Sequence, residues 1–95
     1  MTEHPEMRNT IFGEVLAELL EKREIPVTPF RVGKLAEEAG LDGWKIINRM
    51  ASTTTGNSAG YLDGLAEVLN LSGQEMAKLA LAYSFEERML EQARS

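Results

Sequence analysis

The sequence predicts an all-α protein, a compact bundle of five short helices with a short helix after them at the C-terminus. Three observations carry this. Apolar residues recur at helical spacing, capping signals stand between the periodic segments, and no segment alternates as a half-buried strand does.

The first helix is expected from Asn9 or Thr10 to Arg23. Ile11, Phe12, Val15, Leu16, Leu19 and Leu20 form its apolar stripe, backed by Glu14, Glu18 and Glu21. Ile25-Pro26-Val27 ends it, because proline cannot continue the hydrogen-bond ladder. Thr28-Pro29 opens the second helix with a hydroxyl cap and a pre-set φ. Val32, Leu35, Ala36 and Ala39 face inward, and Gly40 is the left-handed residue that stops it.

The third helix starts after Leu41-Asp42-Gly43, with Asp42 as its cap. Trp44, Ile47 and Met50, or Ile46 and Met50, stand at buried spacing. Ser52-Thr53-Thr54-Thr55-Gly56-Asn57 is a loop by composition, and Asn57 or Ser58 caps the fourth helix. That helix carries Tyr61, Leu62, Leu65, Ala66 and Leu69. Ser72-Gly73-Gln74-Glu75 is a capping box opening the fifth, whose core residues are Met76, Leu79, Ala80 and Tyr83. A second Ser-x-x-Glu, Ser84 to Glu87, predicts a restart as the terminal helix.

At 95 residues the chain is one domain, with 43% hydrophobic and 26% charged residues, an ordinary globular balance. The expected organisation is a flexible N-terminus over 1–8, a helical domain over 9–83 and a C-terminal helix over 84–95. Phe85, Met89 and Leu90 exceed what a five-helix core requires, so they either fold back or form a dimer interface.

Catalytic chemistry is poorly provided for. Without cysteine there is no disulfide or thiolate site, and His4 is the sole histidine, so no Ser–His pair, Cys–His pair or zinc site can be assembled. Glu37-Glu38 and Glu86-Glu87 are adjacent rather than facing. We therefore expect no enzyme, cofactor or metal. No apolar run approaches the roughly 18 residues of a membrane span, and the acidic, polar N-terminus is unlike a secretory signal. A cytoplasmic protein is expected.

The net charge is −5 and the pI near 4.8, which argues against a polyanionic partner until the distribution is read. Segments 1–27 and 59–95 each carry three basic and six acidic side chains. Segment 28–58 holds Arg31, Lys34, Lys45 and Arg49 against Glu37, Glu38 and Asp42, the only positive region.

Leu35-Ala36-Glu37-Glu38-Ala39-Gly40-Leu41 has the logic of a helix-turn-helix at the second and third helices. A small residue permits close packing, glycine supplies the turn, and Leu41 plugs the corner. With the apolar opening Phe12-Gly13-Glu14-Val15-Leu16 and the stretch Leu62 to Ser72, the chain resembles the lambda-repressor-like, Cro/Xre-type DNA-binding domain from Phe12 to about Tyr83. Val32 stands where that family often has Gln, and Ala51-Ser52-Thr53 replaces its common Glu-x-Gly. The turn fits with one extra residue, which places Ile47 and Met50 inward and Arg49 outward.

The resemblance implies a sequence-specific double-stranded DNA-binding transcriptional regulator, a repressor acting as a homodimer on a pseudo-palindromic site. The third helix would enter the major groove, with Lys45, Asn48, Arg49 and Ser52 facing base edges. Asn48 and Arg49 lead, because Asn pairs with adenine N6 and N7, and Arg with guanine O6 and N7. Trp44 either joins Ile47 and Met50 in holding the helix down or touches a sugar or a thymine methyl at the mouth of the groove. Thr28, Arg31 and Lys34 would meet the DNA backbone, as would Thr53, Thr54, Thr55, Asn57 and Ser58 ahead of the fourth helix, a natural anion site. The alternative is a protein-interaction module, an antitoxin or adaptor that binds a polypeptide partner through Trp44, Phe85 and Met89.

Overall fold

Hydroxyl caps and left-handed residues divide the chain into helices where local chemistry demands it. The computed structural model describes residues 5–51 and 59–94, as a 3-10 turn at Pro5–Arg8 and then α1 (Ile11–Lys22), α2 (Pro29–Glu38), α3 (Gly43–Ala51), α4 (Ala59–Leu69) and α5 (Gly73–Arg94). Among the described residues there is no strand, and the all-α bundle is as expected. The radius of gyration is 12.5 Å, close to the roughly 12 Å of a compact domain of this length.

Thr10 caps α1, its hydroxyl accepting from Gly13 N at 2.8 Å, and Thr28 caps α2 by accepting from Arg31 N at 3.2 Å. The capping box before α5 forms in both directions. Glu75 N donates to Ser72 Oγ at 3.2 Å, and Ser72 N to Glu75 Oε1 at 3.0 Å.

Three helix ends close in one way. After α1, α2 and α4 the chain turns through a left-handed residue, Glu24 (φ 59°), Gly40 (φ 73°) and Asn70 (φ 53°). The next N–H then reaches five residues back, from Ile25 to Leu20 O, Leu41 to Ala36 O and Leu71 to Ala66 O, satisfying carbonyls the helix leaves open.

The core joins every helix. Phe12, Leu16 and Leu20 of α1 meet Val32 and Leu35 of α2, Ile46 and Met50 of α3, Leu65 of α4, and Leu79 and Tyr83 of α5. Arg23 ties three helix ends together from the edge of this core. Its Nε donates to Leu69 O at 2.8 Å, and its two terminal nitrogens bind both Glu75 oxygens at 2.7 and 3.1 Å. These bonds, with smaller contributions from the Ser72 backbone N–H and Lys22, hold the Glu75 carboxyl well below the usual carboxylate range.

Two expected boundaries are corrected. Met7 is fully buried and Arg8 pairs with Glu21 at 2.7 Å, so the flexible 1–8 segment does not extend that far; residues 1–4, including His4, lie outside the described residues. Nor does the helix restart at Ser84. α5 runs unbroken through it, because the two carboxylates beyond are taken up by tertiary contacts: Glu86 accepts from Phe12 N at 3.0 Å, and Glu87 pairs with Arg49 at 2.9 Å.

Candidate nucleic-acid interface

α2 and α3 pack almost backbone to backbone. A Cβ on Gly43 would stand 2.9 Å from the Gly33 Cα, closer than any side chain tolerates, so the crossing requires glycine there. Four residues, Ala39 to Asp42, join the two helices. Asp42 then starts α3 by accepting from Trp44 N at 3.0 Å.

This crossing sets one face of α3 beside the N-terminal half of α2, with an open cleft of about 540 Å³ between them. Phe30, Lys34 and Glu37 form one wall, Trp44 and Ile47 the other, and Leu41 and Asp42 the end at the turn. Phe30 is 75% exposed and Trp44 72%, large apolar rings that the fold leaves in water. The Lys34 ammonium lies 5.5 Å from the Phe30 ring centroid, a cation–π pair on the cleft wall.

Of the residues expected to read bases, Lys45 and Asn48 are exposed on α3, and neither lines this cleft. Arg49 is corrected. It is 2% exposed, its guanidinium 4.4 Å from the Tyr83 ring centroid and 2.9 Å from the Glu87 carboxylate. Its backbone carbonyl also accepts from the Thr10 hydroxyl at 2.8 Å. The inward set on α3 is Ile46, Arg49 and Met50, with Ile47 only half-buried, so the extra turn residue is not needed. Trp44 is corrected too, since it does not hold the helix down. Ser52 lies outside the described residues.

The backbone-facing set divides similarly. Lys34 is exposed, Arg31 is half-buried, and Thr28 spends its hydroxyl on the α2 cap. Thr53, Thr54, Thr55, Asn57 and Ser58 lie outside the described residues. With Arg49 withdrawn into the core, the outward charges over residues 28–51 are Arg31, Lys34 and Lys45 against Glu37, Glu38 and Asp42, which balance.

The residues expected at a dimer interface point outward. Phe85 and Met89 are exposed on α5, with Leu81 exposed one turn earlier, so the three recur at i, i+4 and i+8 as one stripe. The Leu90 side chain lies outside the described residues.

Phe30, Leu81 and the Gly33–Gly43 approach had escaped the sequence reading. Phe30 comes directly after Pro29 at a helix start that reads as a cap, and the signal available was its position off the Val32, Leu35 and Ala36 stripe. Among the described residues, no group of three or more His, Asp or Glu side chains is placed to hold a metal, and no helix is long and apolar enough to cross a membrane.

No protein-family model, curated protein or solved structure matches the chain. The bearing on function therefore comes from the geometry of this face.

Proposed function

We propose that the chain is a double-stranded DNA-binding transcriptional regulator, a repressor of the cytoplasm that uses α2 and α3 as a helix-turn-helix. The observation that carries this reading is the shared face. Trp44 on α3 lines the same cleft as Lys34 on α2, and Lys45 and Asn48 are exposed on α3, so a helix entering the major groove would bring Lys34 to the flanking backbone. It is a binding protein, with no catalytic role for its carboxylates.

The Leu81–Phe85–Met89 stripe supports a homodimer. A two-fold axis at Phe85 would set Leu81 of one copy against Met89 of the other, because both lie one turn from Phe85. Such a dimer presents two reading helices to half-sites one duplex turn, about 34 Å, apart.

The test is selection from a random duplex pool at low salt. Enrichment of an inverted repeat is expected, and failure to enrich any site refutes the reading. A second reading, a polypeptide-binding module, is favoured by the exposed Phe30 and Trp44 and by the balanced charge of this face. A stoichiometric protein partner that co-purifies, with no duplex shifted, would decide for it.

A further inference from the structure

Burial of Arg49 removes the side chain best suited to guanine from the outer face of α3. What that face keeps is unusual for reading G·C pairs. Asn48 carries the amide that matches adenine N6 and N7, and Trp44 stands one helical turn before it. Ile47, half-buried, lines the same cleft as Trp44.

Adenine and thymine occur in one base pair, and thymine is the only base that offers an apolar group, its 5-methyl, in the major groove. A tryptophan held in water by the fold gains by covering such a methyl, whereas against the guanine and cytosine edges it would strand polar atoms. Side chains at i and i+4 stand about 5–6 Å apart, within reach of the same or adjacent base pairs.

Resting on the duplex-DNA reading above, we infer that this face is specific for A·T-rich sequence, with Asn48 reading adenine and Trp44 and Ile47 covering thymine methyl groups. Lys34 then serves the backbone rather than the bases.

The test begins with the half-site recovered by selection. That duplex is remade with deoxyuridine in place of thymidine, which deletes the 5-methyl and keeps every Watson–Crick bond. Wild-type protein is expected to bind the uracil duplex about fourfold more weakly for each methyl contacted. Trp44→Ala, an exposed site whose fold is checked by circular dichroism, is expected to lose about fourfold of that discrimination, keeping only the part Ile47 supplies, and Asn48→Ala to lose its preference for adenine. A half-site of G·C pairs, or equal wild-type affinity for the thymine and uracil duplexes, overturns the inference and leaves duplex binding standing. Discrimination undiminished in Trp44→Ala overturns the role of Trp44. No shift of any duplex overturns the duplex reading itself, and this specificity with it.

Discussion

Replacing Arg49 separates a core cation from a surface reader by stability alone. Arg49→Ala deletes two buried methylenes, about 1.6 kcal/mol at 0.8 kcal/mol each, and leaves a cavity beside Tyr83. The cation–π contact, 4.4 Å from the ring centroid and out of water, adds about 1–2 kcal/mol. Glu87 is 35% exposed, so its ion pair is screened and contributes about 0.5–1 kcal/mol at most. Relief of the guanidinium's desolvation offsets part of this, leaving a loss of about 2–3 kcal/mol. Arg49→Met keeps the volume and removes the buried charge, so it should stay within about 1 kcal/mol of the parent. The assay is urea unfolding monitored by far-ultraviolet circular dichroism, with midpoints compared at constant slope. A residue on the outer surface would leave both variants within about 0.5 kcal/mol of the parent, and that result would refute the burial of Arg49.

Gly43→Ala drives a methyl to 2.9 Å from the Gly33 Cα, so α2 and α3 must separate; a loss of about 1–3 kcal/mol is expected in the same unfolding assay, with duplex binding weakened further because the cleft deforms. Glu75 has a lower pKa folded than unfolded, so its pairing stabilises the protein above its ordinary value of 4.5, and that contribution is lost as pH falls below it toward the folded value. Thermal midpoints of Glu75→Gln should consequently change less than those of the parent between about pH 5 and 2. Glu24 holds φ 59° with a side chain that disfavours it, and Glu24→Gly should raise stability by about 0.5–1 kcal/mol, read as a higher urea midpoint.

What was legible in the sequence was what is settled within a few residues. Ser72 to Glu75 contains both partners of its cap, Thr28 reaches Arg31 N three residues on, and Gly40 turns the chain so that Leu41 N meets Ala36 O five residues back. Ser84 to Glu87 shows the same local pattern and forms no cap, since its carboxylates answer to Phe12 and Arg49 across the bundle. Arg49 escaped for the matching reason. Periodicity places one of Ile46 and Ile47 inward with Met50, and one extra turn residue keeps the Arg49 cation out of the core. The aromatic ring and the carboxylate that make the cation acceptable are 34 and 38 residues further on. For the candidate face, Lys45 and Asn48 were visible because outward positions on α3 tolerate either register, whereas Phe30 and Trp44 looked like packing residues, as large rings commonly are.

The carboxylates of Glu86 and Glu87 also carry the fold past the end of its aliphatic core. A protein ending at Tyr83 would keep every residue of the aliphatic core on α1 to α4, yet the start of α1 would lose the acceptor for Phe12 N and Arg49 would face Tyr83 without its anion. The tertiary contacts of α5 therefore reach at least to Glu87, a full helical turn past the boundary drawn from hydrophobic periodicity. Any fusion or truncation that spares α2 and α3 but cuts inside this turn removes the far anchor of α3.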